Sequence, residues 1–321
     1  MSEVSLLCPH QPSDLGVVRR YARAVREGGY ARLWAGQSFQ IESHVALAGL
    51  GGTEDAVPVG IGTALAVLRT PYDAALQARS LAAILGRDVA VAYGASDPDF
   101  VTATRGAPLE RPASYTAAYA GMVRDLLAGR PVTSTEPGLE ARHAQLPTFE
   151  TGPVEIGTGV LRPGMATRSR DVVDFVVTWM TPRTYVRDVL LPRLTRTDGT
   201  RARVVTNVHV ALTGEGRSPN LLAQAGCSNH LARFHYSDML CRAGIDAHPS
   251  DIVSGARELV RKNVFVVGDA QEVAEHIRDI GEHGVDEVVL NPTAVAMVHG
   301  DEAALDDLRQ ISAALRQKVM S

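Results

Sequence analysis

Lysine is almost missing from this chain. It occurs only at Lys262 and Lys318, and arginine supplies the rest of the 32 basic residues among 321. Acidic residues outnumber them for a formal net charge of −4, so the surface as a whole lacks the basic footprint of a nucleic-acid-binding protein. Cysteine is scarce too. Cys8, Cys227 and Cys241 are odd in number and show no C-x-x-C spacing. That excludes a disulfide framework or zinc knuckle and suits a reducing cytoplasm. No window holds ~18 uncharged apolar residues, so no membrane span is expected. The start, MSEVSLLCPH, has neither the charged leader nor the long apolar core of a signal peptide.

The motifs of several common chemistries are absent as well. Gly60-x-Gly62 and Gly157-x-Gly159 lack the third glycine of a dinucleotide fingerprint, and there is no Walker A pattern. No G-x-S-x-G elbow appears, which argues against a serine hydrolase. No His, Asp and Glu set has the spacing of a metal site, so metal hydrolysis is not expected.

What is present is a repeating alternation. Short apolar runs at 4–8, 31–35, 57–62, 88–93, 153–156, 172–178, 203–212 and 286–290 alternate with helical patterns. Runs without polar alternation suit strands buried on both faces of a parallel sheet. Eight such units predict an α/β fold, a (β/α)8 TIM barrel, as a single domain over 1–321. Two irregular regions, after the fourth and seventh predicted strands, read as insertions. The centre of the pattern is 57–81, a strand, a small-residue corner and a helix. Thr70 and Pro71 are a helix cap and first helical residue there. Gly268-Asp269 with Glu272 reads as a second helix start, a capping box.

Function in a barrel gathers at the C-terminal strand ends. Those ends carry His10, Gln37, Ser38, Thr63, Ala64, Tyr93, Gly94, Thr158, Gly159, Trp179, Thr181 and Asn291. They offer no carboxylate pair for sugar hydrolysis. A site poor in acids, bases and metal ligands leaves its reaction to a bound organic cofactor. His209 reads as an interior strand histidine. His230, His235 and Tyr236 fall in the second insertion and read as a solvated loop, with a substrate lid as the alternative. Between Arg162 and Arg203 nine arginines stand against four aspartates, just after the Gly157-Thr158-Gly159 corner. Backbone N–H groups at such a corner suit a phosphate.

Four stretches then carry a resemblance: Leu33-Trp34-Ala35-Gly36, VGIGTALAVLRTPYDAALQARSLAAI, VVDFVVTWMTPRTYVRDVLLP and VGDAQEVAEHIRDIGEHGVDEVVLNP. In this order they resemble the luciferase-like flavin and deazaflavin oxidoreductases. The resemblance implies a cytoplasmic (β/α)8-barrel enzyme, often a homodimer, that binds coenzyme F420 or FMN at the barrel mouth. It implies a non-proline cis peptide at the Gly62-Thr63-Ala64-Leu65 corner, backing the cofactor ring. It places the cofactor phosphate near Thr158 and Gly159. Arg162 from the arginine-rich span and Gly94 and Trp179 from the strand ends complete the expected cofactor-binding set with Gly62, Thr63 and Ala64. The segment around Trp179 looks like the deazaflavin-dependent subgroup.

One departure bears on the reaction. Deazaflavin alcohol and sugar dehydrogenases of this family carry an acid followed by histidine where Gln37-Ser38 stand here. Reduction of an activated C=C or C=N bond asks only for a modest proton donor, for which His10, Ser38 and Tyr93 are the candidates, with Gln37 at the ring edge or substrate. The expected partner is a small-molecule or peptide substrate. An FMN-dependent monooxygenase and a non-catalytic cofactor-binding subunit are the alternatives.

Overall fold

The structure, a computed structural model, describes residues 2–317. Among the described residues eleven strands form: β1 (Glu3–Leu7), β2 (Leu33–Ala35), β3 (Val59–Leu65), β4 (Val89–Gly94), β5 (Val132–Ser134), β6 (Ala141–Ala144), β7 (Val154–Gly159), β8 (Phe175–Trp179), β9 (Arg203–Leu212), β10 (Phe265–Gly268) and β11 (Glu287–Asn291). Eight of them close a parallel barrel in the order β1, β2, β3, β4, β7, β8, β9, β11, with β11 paired back to β1. These eight are the strands the apolar runs predict, and helices flank them as in a (β/α)8 barrel. β5 and β6 make a small antiparallel pair outside it. β10 extends the outer end of β9, pairing Phe265 with His209 through Gly268 with Leu212. The sequence reading passes over β10 because four residues next to a helix start carry almost no periodicity.

The helix starts follow the local chemistry. Thr70 accepts the Asp73 N–H and Pro71 opens the helix Pro71–Leu85. Asp269 and Glu272 close the capping box on the helix Ala270–Glu282. Within 97–112, where no period is visible, Asp97 caps a short helix, Pro98–Arg105. The insertion after β9 holds the helices Pro219–Leu231, Phe234–Arg242 and Ile252–Arg261. Among the described residues no helix is long and apolar enough to cross a membrane.

Side chains alternate between the barrel interior and the helix layer. The interior midsection packs Leu7, Trp34, Ala90, Ala92, Phe175, Val177, Val205 and Val289 into one cluster. Below it, at the N-terminal end, Glu287 is fully buried. It accepts from the Ser5 hydroxyl at 2.6 Å and the Trp34 indole N–H at 2.7 Å, and lies 3.4 Å from Arg32 and 3.7 Å from Arg203. A buried carboxylate is tolerated only when paired and hydrogen-bonded in this way. The barrel is thus plugged at its base by ions and in its middle by aromatic rings, which leaves the C-terminal mouth for a ligand.

Candidate functional site

Two adjoining features make up the mouth. The first is a floor at the ends of β3, β4 and β7. The Gly62–Thr63 peptide is cis. The pairing with β4 slips there, Gly62 opposite Ala92 and Ala64 opposite Tyr93, so Thr63 is bulged out of the ladder. Gly94 and Gly159 flank it: an added Cβ would stand 2.6 Å from Thr63 Oγ1 at position 94 and 3.0 Å from its methyl at 159. Gly62, Thr63, Gly94 and Gly159 therefore converge into a surface of backbone and small side chains, whereas Ala64, in register with Tyr93 and buried with it in the helix-side core, faces away from it. Gln37 braces its edge, accepting the Leu65 backbone N–H at 3.3 Å.

The second feature is a cavity of about 170 Å³ beside that floor. It is lined from β1 by Cys8 and His10, from the β2 end by Gln37, and from β8 and β9 by Trp179 and His209. The helix Pro219–Leu231 covers it with Gly226 and His230. His10 is fixed there by Asp301, the first residue of the last helix, with Nε2 2.6 Å from Oδ1. The same carboxylate accepts from Arg20 at 2.7 Å and from the Tyr21 hydroxyl at 2.9 Å. Burial alone would raise the Asp301 pKa, but the His10 and Tyr21 hydrogen bonds and the nearby cations outweigh it and hold the carboxyl below its ordinary value. Burial pushes the Cys8 thiol up to about 11, so it stays protonated at neutral pH and is no nucleophile.

Other predicted site residues face elsewhere. Tyr93 is buried among core side chains, its ring 4.9 Å from that of Tyr119. Thr158 turns into the helix layer, its hydroxyl 2.7 Å from that of Ser169. Ser38 uses its hydroxyl locally, accepting the Gln40 N–H at 3.1 Å. Arg162 reaches the second insertion, 3.4 Å from Asp238. The arginine-rich span is largely neutralised in place. Arg170, Arg183, Arg187, Arg196, Arg201 and Arg203 all have carboxylate partners, as Arg162 does.

The insertion histidines are not a solvated loop. The His230 ring lies 4.8 Å from that of Trp179 and 4.9 Å from that of Tyr236, which in turn lies 4.5 Å from that of His235. Burial and the neighbouring His235 lower the His230 pKa to about 4. Asp301 is a site residue that no local pattern announces, since 291 positions separate it from His10.

Comparisons with known proteins bear on this arrangement. A search of curated proteins finds no match. Solved structures share the fold along nearly the whole chain at low identity. An F420-dependent secondary alcohol dehydrogenase in complex with an F420-acetone adduct is 16% identical, with a TM-score of 0.71, covering 98% of this chain and 99% of its own. A coenzyme F420-dependent tetrahydromethanopterin reductase from Methanopyrus kandleri is 14% identical, with a TM-score of 0.73 and 99% of each chain covered. The oxygenating constituent of a Pseudomonas putida 3,6-diketocamphane monooxygenase, in complex with FMN, is 13% identical, with a TM-score of 0.70, covering 99% of this chain and 98% of its own. A family model for luciferase-like monooxygenases matches residues 3–287, and with that match the chain belongs to the luciferase-like family.

Proposed function

We propose that the chain is a cytoplasmic, coenzyme F420-dependent oxidoreductase that reduces an activated C=C or C=N bond of a small-molecule or peptide substrate. The observation that carries this reading is the side-chain-poor floor formed by Gly62, Thr63, Gly94 and Gly159 beside a cavity with an imidazole fixed on a carboxylate. Such a floor offers a flat tricyclic ring only backbone and the small Thr63 side chain to lie on, since the Cβ space at Gly94 and Gly159 is taken by Thr63 and that at Gly62 by Trp34. The reduced deazaflavin, when bound, supplies a hydride. Gln37 holds the floor's edge through the Leu65 N–H. His10 carries the proton for the substrate, and Asp301 holds its Nε2 and leaves Nδ1 as the exchanging atom. Trp179 and the insertion helix exclude water. The two F420-dependent structural neighbours support the choice of cofactor.

The family model's own description and the FMN-bound neighbour favour a second reading, an FMN-dependent monooxygenase. Titrating the protein with F420 and with FMN, following cofactor fluorescence, separates the two. Tighter F420 binding is expected, and a preference for FMN overturns the assignment.

The protein is further proposed to act as a homodimer. Val45 on the helix Ser43–Ala48 and Tyr72 and Leu76 on the helix Pro71–Leu85 are exposed apolar side chains on adjacent helices. A second copy of the same face would cover them.

A further inference from the structure

Three ring nitrogens on the cavity wall are buried with no hydrogen-bond partner among the described residues: Nε1 of Trp179, Nδ1 of His209 and Nδ1 of His230. An indole nitrogen only donates. The neighbours of His209 fix its tautomer. Asn291 Oδ1 accepts the Thr293 backbone N–H at 3.0 Å, which turns the amide NH2 toward His209 Nε2, 3.3 Å away. Nε2 therefore accepts, and in a neutral ring the proton sits on Nδ1. His209 is 1% exposed, and burial together with nearby His230 lowers its pKa to about 3, so the ring is neutral at pH 7. Nδ1–H is thus a second donor. The Trp179 and His209 rings meet edge to face with centroids 5.7 Å apart.

Gly226 keeps the imidazole approachable. A Cβ there would stand 3.0 Å from the Ala294 methyl and 3.3 Å from His209 Nδ1, so the Gly226→Ala test below is read only on protein whose stability matches the wild type. A buried donor without an acceptor keeps its desolvation penalty until an arriving acceptor removes it. Among the described residues no arginine or lysine lines the cavity, and His10 there is already engaged by the Asp301 carboxylate, so an anion would find no unpaired counter-charge. A carbonyl oxygen has two lone pairs and no charge to neutralise.

We propose that Trp179 Nε1–H and His209 Nδ1–H form a two-donor recess for the carbonyl oxygen of an uncharged substrate, such as an α,β-unsaturated ketone or amide. The proposal deepens the reductase reading and rests on it for the reaction, but the recess itself is defined by this chain's own atoms. The His230 ring closes the recess over Trp179. Two neutral donors on one oxygen would also favour the charge that gathers on it as a conjugated bond is reduced.

The test uses the cofactor-free full chain labelled with 15N-tryptophan. With only Trp34 and Trp179 present, two indole N–H signals are assignable. Titration with cyclohex-2-en-1-one is expected to move the Trp179 signal and leave Trp34, bound to Glu287, in place. Cyclohexene, with the same ring and no oxygen, is expected to leave both. Gly226→Ala and His209→Phe should each weaken the ketone about tenfold. If His209→Phe does not fold, Gly226→Ala and the wild-type comparison of the two probes decide. Equal response to both probes, no Trp179 response to the ketone, or unchanged affinity in the folded variants overturns the recess. F420 and FMN titrations on the same preparation keep the two readings apart. Ketone binding without cofactor binding removes the reductase and leaves the recess, and the reverse removes the recess alone.

Discussion

A Cβ atom added at Gly60 would lie 2.4 Å from the indole of Trp34. β3 can therefore pass the largest side chain of the barrel interior only where it carries no side chain of its own. The ring cannot retreat easily, because its N–H is bound to the buried Glu287 and its edge packs on Phe175, 5.8 Å between centroids. Overpacking of this kind costs about 1–3 kcal/mol. Gly60→Ala is expected to lower stability by that amount in urea unfolding. Gly36→Ala, where nothing lies within 4 Å of the added atom, is the control and should change little. Equal stability of the two variants would show that the Trp34 ring is free to move.

That contact also marks how far the sequence could be read. The eight barrel strands were legible because each is a compact apolar run, and the helix starts at Thr70 and Asp269 because capping is local chemistry. The direction each side chain takes was not. A strand buried on both faces shows no alternation, so nothing in 88–93 or 153–159 says that Tyr93 and Thr158 face the helices while Gly94 and Gly159 face the mouth. Pairs distant in sequence were equally invisible. Glu287 reads as an ordinary polar strand start, and only closure of the barrel brings Arg32 and Arg203 to it. The cavity histidines come together because the helix after β9 folds back over the mouth, a tertiary event with no sequence period.

The His10–Asp301 pair makes its own prediction. Asp301→Asn keeps the shape of the side chain but replaces the carboxylate that holds His10 Nε2 with an amide. If His10 supplies the substrate proton, turnover should fall about 10²-fold, the lower end of general acid catalysis. F420 affinity should be unchanged, and turnover measured on fully folded protein should still be reduced, which loss of packing alone would not cause. Normal turnover with reduced stability would assign Asp301 to fastening the last helix onto β1.

Thr158 tests the cofactor phosphate. Its hydroxyl and that of Ser169 are both fully buried and 2.7 Å apart. Thr158→Val leaves the Ser169 hydroxyl alone in an apolar layer, at a cost of about 1–3 kcal/mol. Unfolding measurements should show that loss while the F420 dissociation constant stays within about twofold. A large loss of affinity at unchanged stability would return the hydroxyl to the phosphate.

Glu42 governs stability in acid. Burial would raise its carboxyl, but hydrogen bonding and charge from His44, the Val45 N–H and the Arg69 guanidinium outweigh it and hold the pKa at about 2, from an ordinary 4.5. A carboxyl depressed in the folded state binds protons more readily when unfolded. Its contribution is therefore complete above 4.5 and is lost as pH falls toward 2. Urea midpoints at pH 6 and pH 3 should differ less for Glu42→Gln than for the wild type. An identical acid loss in both would place the acid sensitivity on other carboxylates.

The exposed stripe of Val45, Tyr72 and Leu76 gives the last prediction. Tyr72 and Leu76 are four residues apart and share one face of their helix. Both are left partly uncovered by the described residues, Tyr72 38% and Leu76 40% exposed. A twofold axis through this face would set each Leu76 against its counterpart. Leu76→Asp would then bring two carboxylates together in a desolvated contact, which costs more than the lost apolar area. Sedimentation should show a dimer for the wild type and a monomer for the variant. F420 affinity should be kept, because the floor and the cavity are built within one chain. A wild-type monomer would leave the stripe as ordinary surface, and a dimer that survives the substitution would place the interface on another face.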